Sequence, residues 1–340
     1  GFDFEILNSI VTFLPGVVTQ TVTVPIIGDT LPEANETFFV QLVNVSNAVV
    51  LDAFGTAVIQ DDGDGIQQIV LLDFDSGTNF IFDHFYTQSE RDSIQTRLEE
   101  IYGEFTVQFT QTRPMFGLFS TIFVNQPPPG GLADEIDFRN LNLGLNATVD
   151  INNLLGGFGD PPATSANFVE LTAKVVAHEL GHLMGLRHGD AYGPIGSGIG
   201  FQPGRAAYTP AYPGPVAANE SNLHIMGSPA STGETLQNAL AGQYFGARSA
   251  VKLAFFSFQG QVLGEQFGTH DTPLTSQPIV LADLVVPNTE VGGSLAGLEF
   301  DVEATVVTGA LQGAGEVDVY SFDASAGQVL NMELMSSVLA

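Results

Sequence analysis

Three of the chain's six histidines fall within eleven consecutive positions, in the stretch HELGHLMGLRHGD at 178–190. Residues four apart on a helix stand on nearly the same face about 6 Å along the axis, so His178 and His182 can grip one ion from one side. Glu179 projects roughly 100° further around the helix, beside the ion's open position, where a carboxylate can hold and deprotonate a water. His188 reaches the same ion only if the helix ends and the chain reverses. Gly185 supplies, at that exit, a residue free to take positive φ without a Cβ clash. Three histidines leave the fourth tetrahedral position to solvent, the arrangement of a catalytic rather than a structural zinc. The chain has no cysteine, so any zinc site must be built from His and carboxylates.

The extended spacing H-E-x-x-H-x-x-G-x-x-H, here His178, Glu179, His182, Gly185 and His188, resembles the signature of the metzincin metallopeptidases. The resemblance covers residues 66–258. It implies a zinc-dependent endopeptidase that hydrolyses peptide bonds by metal-activated water, with Zn2+ on the three histidines and Glu179 as general base. It further implies a methionine-containing turn that floors the metal, and NLHIMGSPAS at 222–231 offers Met226. In two branches of the family a Tyr closely follows that Met, whereas Gly227 and Ser228 stand here, so the branch is not assigned. The resemblance gives Asp190 a structural place. His224 is expected not to be a ligand, and His84 and His270, without partners in sequence, are expected at the surface.

These residues need a scaffold, and the pattern around them is mixed. SANFVELTAKVVAHELGHLMGL (165–186) runs about six turns without Pro or Gly until Gly181, so the histidines sit late in a long helix. A first helix is expected in 89–105 behind a Ser cap, with Ile94, Leu98 and Ile101 inward. IQQIVLLDF (66–74), FTVQFTQ and FSTIFVNQ read as strands, PPPGG (127–131) as a break and NATVDI (146–151) as an edge strand. A peptide substrate is expected to add to that edge by main-chain hydrogen bonds. Residues 190–222 read as an irregular excursion and 232–253 as a second helix.

Residues 1–65 alternate apolar and polar in four bursts, SIVTFLPG, QTVTVPI, ETFFVQLVNV and GTAVIQDD, which read as antiparallel strands. The segment resembles the C-terminal part of a Calx-beta domain through its Gly-x-Asp-aromatic start, the TFLPG turn and the closing acidic pair. That resemblance implies Ca2+ binding, with Asp29, Glu33, Asp61 and Asp62 as candidates; hard cations want several converging oxygens, and these four fall in or near loops. Residues 259–302 read as a β-rich linker, and 303–340 resemble the start of a bacterial pre-peptidase C-terminal (PPC-like) β-domain through DVYSF and AGQ. The expected architecture is therefore multidomain. An α+β metzincin-like domain, with a mixed twisted sheet, a long active-site helix and a Met-turn, is flanked by partial antiparallel β-sandwich modules.

Nine Lys plus Arg against 38 Asp plus Glu give a net charge of −29, which repels nucleic-acid phosphates and anionic lipid. No apolar run approaches the roughly 18 residues of a spanning helix, so no membrane insertion is expected. The expected partner is a protein or peptide substrate, and the oligomeric state is left open. The chain opens on Gly without a signal segment, which is expected upstream of an extracellular or cell-surface protein. The competing expectation is a calcium-dependent adhesion or surface-binding protein whose middle module is inactive or self-processing. An intact Glu179 speaks against an inactive relic, because holding zinc requires only the histidines.

Overall fold

The structure, a computed structural model, describes residues 9–26, 36–50, 53–59, 68–77, 83–193, 198–199, 217–220, 224–227, 235–240, 243–258, 260–265, 270–287, 289, 299–309, 317–328, 330 and 332–334. The chain divides into two compact units, Gly1–Ile66 and Gln67–Ala340.

In the first unit the described strands are β1 (Glu36–Gln41) and β2 (Phe54–Ile59), paired antiparallel in register Glu36 with Ile59. The first burst carries a turn at its TFLPG stretch. Val17 N–H donates to the Leu14 carbonyl at 2.9 Å across Pro15 and Gly16, with Gly16 at φ +86°, the residue order of a type II turn. Asp29, Glu33, Asp61 and Asp62 lie outside the described residues.

The second unit is mixed α and β. Its main sheet has the order β4 (Val107–Thr110), β3 (Gln68–Asp73), β5 (Ser120–Val124), β7 (Asn146–Asp150), β6 (Gly130–Ala133). The first four are parallel and β6 runs antiparallel at the rim. The near-continuous apolar runs IVLL and TIFV suit parallel strands covered on their faces. Residues 146–151, expected at the edge, are thus interior, and the edge belongs to the segment expected to be a break. The triple proline ends where the strand begins, and Gly130 to Ala133 pair with Asp150 to Ala147.

Helix α1 (Gln88–Tyr102) starts from Thr87 rather than a Ser: Thr87 accepts the Glu90 N–H while the Glu90 carboxylate accepts the Thr87 N–H, a reciprocal box that satisfies two orphan donors. Ile94, Leu98 and Ile101 are buried as the spacing predicts. Helix α2 (Ser165–Leu183), capped by Thr164, packs against α1, β7 and β6, and from Leu171 to Leu183 all but Val175 are buried. A helix buried on every side is a core element, so its register is fixed by packing on several faces. Tyr102 Oη adds a 2.8 Å hydrogen bond to the Ala177 carbonyl across the α1–α2 seam.

Beyond α2 come a short three-stranded sheet, β8 (Tyr192–Gly193), β10 (Ala217–Glu220), β9 (Gly198–Ile199), then α3 (Leu236–Ala239) and α4 (Ala247–Ser257). The helix expected over 232–253 is therefore two pieces, because Tyr244 is extended to bridge His224 and Gly246 is pressed against that imidazole. The C-terminal strands pair as β11 (Val262–Gly264) with β15 (Val306–Thr308), β12 (Gln277–Pro278) with β16 (Tyr320–Ser321), and β13 (Ala282–Pro287) with β14 (Glu299–Ala304). Among the described residues no helix is long and apolar enough to cross a membrane.

Candidate metal centre

The exit from α2 builds the site. Leu186 N–H donates to the Gly181 carbonyl at 2.8 Å and Gly185 N–H to the His182 carbonyl at 2.9 Å, the paired bonds of a Schellman motif. Gly185 occupies its left-handed position at φ +87°, and a Cβ there would also lie 2.9 Å from the Asp137 carbonyl oxygen. The reversed chain then enters a 3-10 turn, His188–Ala191. Asp190 pins this turn: one carboxylate oxygen accepts the Arg187 N–H at 2.7 Å and Lys252 Nζ at 2.8 Å.

The turn returns His188 to the helix. Its Nε2 lies 3.1 Å from His178 Nε2 and 3.2 Å from His182 Nε2. The other nitrogens of the two helical rings are already engaged, His178 Nδ1 with the Ile225 carbonyl at 2.7 Å and His182 Nδ1 with the Leu186 carbonyl at 2.8 Å. A carbonyl can only accept, so each Nδ1 carries the proton and each Nε2 presents a lone pair. Burial lowers all three basicities. His178, which also feels His182, His188 and Lys174, is held well below the usual imidazole range; His182 is lowered too; and His188 falls to about 4. Neutral rings that aim lone pairs at one point repel unless a cation stands between them. Nitrogens about 2.0–2.1 Å from a tetrahedral zinc are about 3.3 Å apart, so the observed spacing fits such an ion.

Below the rings the chain turns at 224–227, where Gly227 N–H donates to the His224 carbonyl at 2.9 Å and Ile225 N–H to the Tyr244 carbonyl at 2.9 Å. Met226 is fully buried, and its Sδ lies 2.6 Å from where a Gly181 side chain would begin. The thioether thus fills the gap left by the missing Cβ, about one helical turn from His178 and next to His182 in sequence. His224 is no ligand. Its Nδ1 bonds the Ala191 carbonyl at 2.5 Å, which ties this turn to the one that carries His188.

Glu179 points to the sheet rim. It is 6 % exposed, it lies over Gly131 of β6, and it accepts the backbone N–H of Ala133. A Cβ on Gly131 would fall 2.4 Å from Oε1, so only glycine admits the carboxylate there. Burial raises Glu179 to about 7, against which the single N–H bond is a small correction. A carboxylate poised near neutrality can both take and return a proton.

The structure brings His178, His182 and His188 close enough to hold one metal ion, with Gly185 at the helix exit, Met226 against Gly181 and Glu179 over Gly131. What sequence reasoning missed is the support: the Ile225 and Leu186 carbonyls, Gly131, and Gly181, whose presence mid-helix is itself a sign of close approach. The expectation for His270 is overturned, since it is only 7 % exposed. His84 is half-buried, its side chain 22 % exposed and its ring stacked on Phe168 with centroids 3.7 Å apart. Compared with known proteins, the chain matches no family model and no curated protein.

Proposed function

We propose that the second unit carries a zinc-dependent endopeptidase of metzincin type, acting on protein or peptide substrates outside the cell or at its surface. The observation that supports this most is the convergence of three imidazole Nε2 atoms, two of them fixed as acceptors, beside a buried carboxylate at a sheet edge. Zinc, when bound, supplies a Lewis acid that polarises the scissile carbonyl and acidifies water at the fourth position.

The chain's own residues do the rest. Glu179 takes the proton of the attacking water and delivers it to the leaving amine. Burial raises its proton affinity in the metal-free chain, and a carboxylate so raised can both take a proton and return it. The Nδ1 bonds to Ile225 and Leu186 hold the two helical rings in one tautomer and one orientation. The substrate backbone runs beside β6. Alternation along the strand, with Asp134 N–H turned inward to Asn146, leaves the polar groups of Gly131 and Ala133 facing outward. Ala133 already gives its N–H to Glu179, so a bound peptide lies directly beside the base.

The test is cleavage of a denatured, unlabelled protein by the purified chain, with and without a chelator, for wild type and Glu179→Gln. Chelator-sensitive cleavage that disappears in the variant, with zinc content retained, supports the reading. No cleavage by a zinc-loaded wild type, or undiminished cleavage by Glu179→Gln, overturns it.

A further inference from the structure

A second set of ligand-type side chains converges far from the triad in sequence. Glu265, His270 and Asp318 each bring one nitrogen or oxygen to within 4.8 Å of the others. His270 is 7 % exposed, and the side chains of Glu265 and Asp318 are 18 % and 15 % exposed.

Each of the three is anchored by main chain. Glu265 directly follows β11, and its N–H donates to the Thr308 carbonyl at 2.8 Å. The His270 carbonyl accepts the Val319 N–H at 2.7 Å, and Gln277 N–H donates to the Val319 carbonyl at 2.9 Å, which fixes the residue next to Asp318. Gly309 makes room for the Glu265 carboxylate: a Cβ there would sit 2.5 Å from Oε2. This is the same device that Gly131 provides for Glu179.

The distances distinguish two roles for the cluster. His270 Nε2 is 3.4 Å from Glu265 Oε1 and 3.4 Å from Asp318 Oδ1. A charge-assisted N–H to carboxylate bond is about 2.7–2.9 Å long, shorter than either separation. Two equal separations of 3.4 Å are instead the edge of a coordination shell, since ligands about 2.0–2.2 Å from a tetrahedral ion stand about 3.4 Å apart. Two mostly buried carboxylates also concentrate negative charge that the low-dielectric surroundings make costly. Tyr320 packs beside the cluster, its ring centroid 5.6 Å from that of His270.

We propose that Glu265, His270 and Asp318 form a second divalent-metal site, for a first-row transition ion of the zinc class, which ties the β11–β15 pair to the β12–β16 pair. A histidine nitrogen among the ligands selects against calcium and magnesium, which take oxygen donors. With all three protein ligands just outside short strands, the ion's role is to hold those segments together, and it stabilises the folded state alone. The site stands on different residues from the peptidase reading and does not depend on it.

The test uses the full chain, loaded with Zn2+, freed of excess metal and measured for zinc per chain by mass spectrometry. Wild type is expected to hold two ions. His270→Ala, and separately the isosteric pair Glu265→Gln with Asp318→Asn, should each hold one, as should His178→Ala with His182→Ala. In that last background, where the first site is removed, Zn2+ should raise Tm by several degrees, and adding Glu265→Gln and Asp318→Asn should abolish the rise. The isosteric pair covers the case in which His270→Ala fails to fold. Zinc content unchanged by Glu265→Gln with Asp318→Asn overturns the second site while leaving the triad intact. One ion in wild type, lost only with that pair, supports the second site and sinks the first.

Discussion

Gly181→Ala is the sharpest probe of how the metal centre is floored. A glycine inside a helix is normally a defect, and replacing it by alanine gains about 1 kcal/mol from backbone entropy and propensity. Here the new Cβ would meet Met226 Sδ at 2.6 Å, Leu186 Cδ1 at 3.3 Å and Met226 Cε at 3.4 Å. Ordinary contact needs about 3.5–4.0 Å, so the sulfur must retreat by about 1 Å. Met226 has no solvent to retreat into: it is fully buried, and its neighbour Ile225 is fixed by Tyr244. Overpacking of this kind costs about 1–3 kcal/mol, which exceeds the propensity gain. The expected net is a destabilisation of about 1 kcal/mol, read by urea unfolding of the metal-free chain. Because Ile225 also holds His178 Nδ1, the shift should carry to the ligand and weaken zinc about tenfold, the lower end for loss of a ligand-orienting bond. A variant stabilised by about 1 kcal/mol, with zinc affinity unchanged, would refute the floor and reduce Gly181 to an ordinary helix glycine.

Gly131→Ala would put a Cβ within 2.6 Å of the Glu179 Oε1, Cγ and Cδ atoms, so the carboxylate must swing away. Peptidase activity should fall about 100-fold, the usual effect of a 1 Å misplacement, with zinc content unchanged; activity within twofold of wild type would remove Glu179 from the cradle. The raised Glu179 carboxyl also makes a statement about the metal-free chain. A group that holds its proton up to about 7 when folded, but releases it near 4.5 when unfolded, costs stability as pH rises through that window and nothing below it. Metal-free Glu179→Gln should therefore match wild type near pH 4.5 and exceed it by about 3 kcal/mol at pH 8. Equal stability of the two at pH 8 would show that Glu179 is not desolvated. The histidines act in the opposite direction: with folded basicities lowered, they withdraw stability as pH falls from 6.5 toward 4, which is why the comparison needs the variant rather than the wild-type curve alone.

The ligand set could be read from the sequence because one helix and its exit turn supply all of it. Periodicity places His178, Glu179 and His182, and one glycine with positive φ places His188, so no long-range contact has to be guessed. The edge strand beside Glu179 was not legible for the converse reason. Gly130 and Gly131 follow three prolines and have poor strand propensity; only pairing with Asn146–Asp150 and cover by α2 make them a strand. Thr87 displaced the expected Ser cap because Glu90 stands three residues on, a signal that was present in the sequence but passed over. The Glu265, His270 and Asp318 set leaves no periodic trace. Its members are brought together by two parallel pairings of very short strands, and nothing in local composition announces such pairings.

Two buried carboxylates bracket the motif, and their partners decide what each can do. Asp190 is 1 % exposed and its oxygen is taken by the Arg187 N–H and by Lys252, which itself reaches Glu333. Both contacts hold chain in place, so this carboxylate is committed to fixing the turn that delivers His188. Glu179, nearly as hidden, has one backbone donor, the Ala133 N–H, and it is burial that raises it. Burial without a counter-charge makes its proton exchangeable near neutrality, and a strand glycine keeps it beside the open edge. Identity and burial are nearly the same for the two; only the presence of a fixed ammonium separates them. That difference, rather than the motif spacing, is the physical reason to assign proton transfer to Glu179 and scaffolding to Asp190.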